Sequence, residues 1–166
     1  MSPLQAEEIF ACLDRHAVRY VLIGGLAAVL HGSPLTTVDV DICPERGPDN
    51  LTRLAAALDE LDAKIRTPDS PTGVAFPREA SFLGGLQVLN LMTRFGDLDL
   101  TFAPVGVAGF PELSRNAQEI HIGRLKIAVA SLEDVIRSKE AANRPKDQRA
   151  LPVLRQLLEE IRKWNR

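Results

Sequence analysis

Two aspartates lie one residue apart in a short apolar, β-branched run, TVDVDIC, at residues 37–43. The alternation of apolar and polar residues predicts a β-strand, and in a strand the side chains of Asp39 and Asp41 point to the same face. Two negative charges side by side are costly unless a cation neutralises them. This pair therefore predicts a strand whose exposed face holds a positive ion.

A strand–glycine–helix arrangement precedes the aspartate pair. The apolar segment YVLI at residues 20–23 predicts a buried strand, which breaks at Gly24 and Gly25 and continues as a small-residue helix. The turn at residues 31–34 then leads into the strand that carries the aspartates. The chain thus predicts two strands joined by one short helix.

The rest of the chain predicts one α+β domain, with a mixed sheet of about five or six strands, flanking helices and a helical C-terminal segment. Two hairpins are expected, at residues 86–104 and 118–130, and a helix capped by Ser131 follows them. Residues 66–85 hold three prolines and three glycines and are predicted to form a loop. We divide the single domain, 1–166, into a catalytic α/β core at 1–130 and a helical segment at 131–166.

Composition favours a soluble cytoplasmic protein. No apolar run approaches the roughly 20 residues that cross a bilayer, the N-terminus lacks the features of a signal peptide, and two cysteines give no disulfide framework. Charge is unevenly distributed, because residues 137–166 hold nine of the 20 Lys and Arg but four of the 22 Asp and Glu. An acidic body with a basic end suits a metal site that faces a phosphate-binding wall, although a solvated basic helix would show the same pattern.

The combination of Gly-Gly, a helix and Asp-x-Asp at this spacing resembles the signature of the nucleotidyltransferase superfamily, the polymerase-β-like fold. The resemblance implies that Gly24 and Gly25 let backbone N–H groups approach the phosphates of an NTP. It implies that Asp39 and Asp41 hold Mg²⁺ or Mn²⁺. A third carboxylate is expected from a later strand, where GDLDL offers Asp97 and Asp99. Asp99 matches the pattern better, but both share one face, and the choice between them stays open.

Residues 24–42, GGLAAVLHGSPLTTVDVDI, together with the segment 129–154, resemble the bacterial subgroup of AbiEii-like and MenT-like toxins. The subgroup commonly has an arginine where this chain has Leu35, which puts its triphosphate affinity in question. The resemblance implies that Lys139 contacts the triphosphate and that Asp147 orients a basic partner or completes the site. Arg144 and Lys146 are implied in the same way as nucleotide or RNA contacts. Thr37 matches a Ser/Thr that such toxins place beside the metal, as a phosphate ligand or a point of modification. The Ser33 hydroxyl is expected to bind a phosphate or to form the turn.

The expected function is Mg²⁺-dependent transfer of a nucleoside monophosphate from an NTP to an acceptor, with release of pyrophosphate. The catalytic residues would be Asp39, Asp41, Asp99 and Lys139. The resemblance implies the 3′ end of a tRNA as the acceptor, and a toxin of a toxin–antitoxin pair, with a cognate antitoxin as partner, as the role. The alternatives are a transferase acting on a protein or a small molecule, such as an antibiotic, and a non-catalytic nucleotide-binding module.

Overall fold

One mixed β-sheet organises the chain. The computed structural model describes residues 3–166, and its strands are β1 (Tyr20–Ile23), β2 (Asp39–Pro44), β3 (Lys64–Thr67), β4 (Ser70–Val74), β5 (Val88–Thr93), β6 (Gly96–Thr101), β7 (Gln118–Ile122) and β8 (Leu125–Val129). These eight strands form a single sheet in the order β4-β3-β5-β6-β2-β1-β8-β7. The pairs β2–β6 and β1–β8 are parallel, and the other pairs are antiparallel.

Seven helices accompany the sheet within the same described residues. They are α1 (Ala6–Arg15), α2 (Gly24–Leu30), α3 (Pro48–Glu60), α4 (Ala80–Gly84), α5 (Phe110–Asn116), α6 (Leu132–Ala142) and α7 (Pro145–Trp164). Helix α6 begins as predicted, because the Ser131 hydroxyl accepts a hydrogen bond from the Asp134 N–H at 3.1 Å. Within residues 3–166, none of the helices combines the length and the apolar character that a membrane span requires.

The hydrophobic core lies between the sheet and the amphipathic faces of the helices. Helix α3 buries Leu51, Leu54 and Leu58, and α1 buries Ile9 and Leu13. These residues recur at three- and four-residue spacing, which places them on one side of each helix. Burying both stripes fixes α1 and α3 against each other and leaves the opposite face of the sheet's central strands free to form a site.

Two expectations about the sheet were wrong. The sheet has eight strands rather than five or six, and residues 66–85 contain part of β3, all of β4 and α4 instead of forming a loop. Strand β4 lies at the edge of the sheet, where Pro71 removes no hydrogen bond that a central strand would need. Because β3 pairs with β5 as well as with β4, the tertiary structure stabilises segments that prolines and glycines make weak locally.

Candidate active site

Three half-buried carboxylates form a cluster on one face of the central strands. One oxygen from each of Asp39, Asp41 and Asp99 lies within 4.8 Å of the others. Asp39 and Asp41 are alternate residues of β2, and Asp99 belongs to the neighbouring strand β6. The cluster therefore joins the predicted pair to one of the two candidates for a third carboxylate.

The parallel register of β2 and β6 creates this cluster. Asp39 is aligned with Asp97 and Asp41 with Asp99, so four carboxylates share one face of two adjacent strands. Arg66 contacts both Asp97 and Asp99, at 3.4 Å and 2.9 Å, but of these two only Asp99 belongs to the cluster. The geometry favours Asp99 over Asp97 as the third member.

Burial and mutual repulsion make the cluster electrostatically unfavourable without a cation. Burial, followed by the charges of Asp39 and Asp99, raises the pKa of Asp41 to about 7. Burial also raises the pKa of Asp99, against the lowering effect of Arg66. A site that raises the pKa of its own carboxylates is one in which a bound cation would be favoured.

The charge and donor set of the cluster fit a divalent metal ion. Carboxylate oxygens are the ligands that Mg²⁺ and Mn²⁺ prefer, and two or three of them in reach of one point are a common arrangement for such ions. Residues Asp39, Asp41 and Asp99 would hold the ion, and a cation placed among them would relieve the repulsion that raises the pKa of Asp41.

Arg66 is a site residue that the sequence analysis missed. Its guanidinium donates to the Asp99 carboxylate at 2.9 Å and to the carbonyl oxygen of Leu91 at 2.9 Å. The side chain reaches from β3 across β5 to β6, because β3 pairs with β5 and β5 with β6. Arg66 was not recognised as a site residue because residues 66–85 were expected to form a loop. The only sequence pattern that indicated a strand here was the alternating segment KIRT.

Gly24 is required by its contact with the carboxylate cluster. The antiparallel pairing of β1 with β2 sets Ile23 opposite Asp41, so the next residue passes directly beside the Asp41 side chain. A Cβ at position 24 would collide with that carboxylate, and the backbone has φ +71°, which disfavours residues with a side chain. The first glycine of the predicted pair therefore lets the main chain approach the cluster.

A cavity of about 500 Å³ opens over the carboxylates and is cationic on its other side. Asp39, Asp41 and Asp99 line it from the sheet, whereas Lys139 lines it from α6. Three further residues that were predicted to bind nucleotide also line the cavity: Gly24, Arg144 and Lys146. The helices α6 and α7 thus bring positive charge to face negative charge, as the uneven distribution along the sequence suggested.

Asp147 forms ion pairs with two of the basic residues that line the cavity, Lys139 and Arg144. Its carboxylate is fully buried, accepts hydrogen bonds from the backbone N–H of Arg144 at 3.2 Å and from its Nε at 2.7 Å, and lies 3.6 Å from the Lys139 ammonium. Burial opposes ionisation of Asp147, but the contacts with Arg144 and Lys139 outweigh it, and the pKa falls below its ordinary value. Asp147 is placed to orient two basic side chains rather than to line the cavity.

The structure places the other predicted nucleotide-binding residues outside the cavity lining. The Ser33 hydroxyl is buried and accepts from the Leu35 N–H at 3.2 Å within its own turn. The Thr37 hydroxyl donates to the Asp39 carbonyl at 3.3 Å, and a Cβ on Gly25 would lie 3.1 Å from that hydroxyl oxygen. These residues shape the segment between the glycines and the aspartates.

One wall of the cavity is apolar, a feature that the sequence analysis did not identify. The apolar residues lie on β5, α5, α6 and the segment between β6 and α5: Val88, Pro104, Val105, Val107, Leu113 and Val135. Val88 and Val105 are 52% and 59% exposed, although both are large enough to gain from burial. The cavity therefore combines a charged end with an apolar surface suited to an organic group.

No protein-family model matches the chain, and no curated protein matches its sequence. Solved structures are similar in fold. The lincomycin-bound lincosamide antibiotic adenylyltransferase LnuA matches with a TM-score of 0.60 and 16% identity, over 94% of this chain and 99% of that chain. A putative nucleotidyltransferase from Thermotoga maritima matches with a TM-score of 0.56 and 18% identity, over 96% and 97%. The antibiotic-resistance factor ANT(2'')-Ia matches with a TM-score of 0.53 and 14% identity, over 96% and 90%.

These similarities establish the fold. The chain has a mixed α+β architecture of the kind found in nucleotidyltransferases, which confirms the fold class predicted from the sequence. Because the sequence identities are below 20% and one fold serves many reactions, the comparison does not assign an activity or a substrate to this chain. The toxin subgroup stays a prediction.

Proposed function

We propose that this chain is a metal-dependent nucleotidyltransferase that transfers a nucleoside monophosphate from an NTP to an acceptor hydroxyl and releases pyrophosphate. The observation that carries the proposal is the cluster of Asp39, Asp41 and Asp99 on the floor of a cavity whose opposite side is lined by Lys139, Arg144 and Lys146. A triphosphate needs positive charge along its length, and the transferred phosphoryl group needs divalent cations beside it. In this cavity the basic residues would supply the positive charge for the triphosphate, and the carboxylates would supply the ligands for the divalent cations.

In this proposal Asp39 and Asp41 hold the metal and Asp99 receives the proton of the attacking hydroxyl or completes the ligand set. When bound, the metal would neutralise charge on the triphosphate and polarise the phosphorus that is attacked. Lys139 and Arg144, oriented by Asp147, would bind the phosphates that leave as pyrophosphate. Gly24 leaves room for the nucleotide next to Asp41. The oxygen of the acceptor forms the new P–O bond as the bond to pyrophosphate breaks.

The acceptor predicted from the sequence is the 3′ end of a tRNA. Lys146 and Arg144 favour it, because both reach the cavity from the start of α7, the most basic part of the chain. Farther along α7, Arg155, Arg162 and Lys163 each lie within 4.0 Å of a glutamate, which reduces the positive charge available to RNA. If tRNA is the acceptor, the expected role is that of a cytoplasmic toxin with a cognate antitoxin, and expression of the chain would arrest growth.

A small-molecule hydroxyl is the second candidate acceptor, and the apolar wall favours it. Val88, Val105 and Val107 offer a surface for the body of an organic molecule next to the carboxylates. Two of the solved structures with this fold are antibiotic-modifying or antibiotic-resistance proteins by name, which makes antibiotics a sensible first set of acceptors.

The test supplies purified protein with Mg²⁺, each labelled NTP in turn, and either total tRNA or a panel of hydroxyl-bearing small molecules. We expect label to move to one acceptor class and pyrophosphate to appear in equal amount. Asp39→Asn should reduce transfer by about a thousandfold, as expected when charge stabilisation of the transition state is removed. Asp69→Asn, at an exposed turn residue, is the matched control and should retain full activity.

Label on tRNA alone would support the toxin assignment, and label on a small molecule alone would refute it. If no acceptor is labelled and Mg²⁺ with NTP leaves the melting temperature unchanged, the transferase proposal fails and the non-catalytic module remains.

A further inference from the structure

A second cluster of potential metal ligands lies away from the cavity, between the ends of α1 and α3. It consists of Cys12 on α1, His16 directly after α1, and Glu60, the last residue of α3. None of these residues lines the cavity, and none belongs to the machinery proposed above. The inference drawn from them is therefore independent of the proposed function.

The helix geometry brings the three side chains together. Cys12 and His16 are four residues apart, a spacing that puts two side chains on one side of a helix. His16 Nε2 lies 3.3 Å from one carboxylate oxygen of Glu60. One ligand atom from each of the three residues lies within 4.8 Å of the others, close enough for the three to approach a single ion.

The donor set differs in kind from that of the active site. It offers one sulfur, one imidazole nitrogen and one carboxylate oxygen, whereas the cluster in the cavity offers only carboxylate oxygens. A thiolate, an imidazole and a carboxylate are ligands of Zn²⁺ and of chemically similar transition-metal ions, and Mg²⁺ avoids sulfur. Three protein ligands leave the fourth position of a tetrahedral ion for water.

Arg15 already holds the glutamate in a suitable orientation. Its guanidinium contacts Oε2 of Glu60, while Oε1 faces His16. The Cys12 thiol itself donates to the carbonyl oxygen of Ala57 at 3.5 Å, a hydrogen bond that metal binding would break. A thiolate and a carboxylate together match the two positive charges of the ion.

We propose that Cys12, His16 and Glu60 form a binding site for a divalent transition-metal ion, with Zn²⁺ as the best fit, that links the end of α1 to the end of α3. Binding replaces the proton of the Cys12 thiol by a metal–sulfur bond, and one proton is released to solvent. The His16 ring binds through its neutral Nε2, and the Glu60 carboxylate through one oxygen.

A cysteine thiol is ordinarily protonated at neutral pH and binds a metal ion as the thiolate, so it loses its proton when the metal–sulfur bond forms. Metal uptake should therefore release about one proton per ion at neutral pH, and affinity should increase with pH. Proton release distinguishes this site from a surface site made of ionised carboxylates, which has no proton to lose.

The test titrates the metal-free protein with Co²⁺, which replaces Zn²⁺ with similar geometry and gives an absorption band when bound to a thiolate. All titrations use the Asp39→Asn background, so that the carboxylate cluster does not compete for the ion. We expect one Co²⁺ per chain, a thiolate-to-metal charge-transfer band, and displacement of Co²⁺ by Zn²⁺ but not by Mg²⁺. His16→Gln should weaken Zn²⁺ binding at least tenfold.

Cys12→Ala should abolish the charge-transfer band, and Cys43→Ala, at the other fully buried cysteine, should leave it intact. Because Cys12 lies in the core and its replacement could perturb folding, the exposed Glu60→Gln provides a second variant that should also weaken binding. Absence of a charge-transfer band in the parent protein, or a band that disappears with Cys43→Ala and survives Cys12→Ala and His16→Gln, would overturn the proposal.

Discussion

The two sides of the cavity deal with charge in opposite ways. On the sheet side, Asp39, Asp41 and Asp99 crowd together, and within the part of the chain that the structure describes only Arg66 makes an ion pair with a member of the cluster. On the helical side, the buried Asp147 is paired with Lys139 and Arg144. The carboxylates on the sheet side carry more negative charge than Arg66 neutralises, whereas the negative charge of Asp147 is neutralised by Lys139 and Arg144.

This difference indicates which charges serve stability and which serve binding. A compensated buried ion pair is costly to disturb from either side, because removing one partner leaves the other without its counter-charge. A crowded carboxylate cluster destabilises the metal-free fold and is relieved by a ligand. Removing a carboxylate should therefore stabilise the metal-free protein on the sheet side and destabilise it on the helical side.

The largest expected effect is the pH dependence of stability caused by Asp41. Its pKa rises from an ordinary 3.8 to about 7 on folding, so folding favours the protonated form. In the metal-free protein the contribution of Asp41 to the free energy of unfolding should be most favourable below about pH 4, fall as the pH rises to about 7 and level off above it. The contribution of this group is up to about 4 kcal/mol.

Asp41→Asn should flatten this dependence and stabilise the metal-free protein at pH 8, although it removes a proposed metal ligand. Urea denaturation between pH 4 and pH 8 measures the effect. If the variant were less stable than the parent at pH 8, the repulsion inferred for the cluster would be incorrect.

Asp147→Asn should have the opposite effect and destabilise the protein by about 3 kcal/mol at pH 7. The pKa of Asp147 is lowered on folding, so its contribution is present above about pH 4 and is lost as the pH falls. Urea denaturation at pH 7 gives the change in stability, with Asp69→Asn as the exposed control. An equal loss for both variants would mean that the pairing beneath the cavity contributes nothing specific.

Arg66→Met should reduce stability by about 2 kcal/mol in the absence of metal, because Asp99 loses a charge-assisted hydrogen bond. Saturating Mg²⁺ should recover much of the loss, since a metal ion supplies the missing positive charge. Thermal unfolding with and without Mg²⁺ measures this difference. The double variant Arg66→Met/Asp99→Asn should be more stable than the sum of its single variants predicts, and simple additivity would exclude coupling between the two.

The smallest expected effect concerns Lys139 on the helical side. Lys139→Ala should raise the KM for NTP about tenfold with a smaller change in kcat, as expected when a binding contact to phosphate is lost. Lys126→Ala, at an exposed residue of β8, is the matched control. Steady-state kinetics at varied NTP concentration measure KM and kcat separately for both variants. A change in kcat alone for Lys139→Ala would assign Lys139 to the chemical step instead.

Local patterns predicted the parts of the fold in which neighbouring residues carry the information. The strand that bears Asp39 and Asp41, the helix opened by Gly24, the two hairpins and the cap at Ser131 all follow from alternation, helical spacing and turn residues. The segment 66–85 was misread because Pro71 and Gly73 are unfavourable in an isolated strand. Only pairing with the rest of the sheet makes β3 and β4 stable.

By itself, the sequence determined that two carboxylates share one face of a strand, that glycines precede them, and that positive charge accumulates near the C-terminus. The tertiary structure decided which residues meet. The parallel register of β2 and β6 sets Asp99 beside Asp41, and the β3–β5 pairing brings in Arg66. The packing of α6 and α7 buries Asp147 beneath the basic residues. These are contacts between residues far apart in the chain, and no local periodicity encodes their register or their partners.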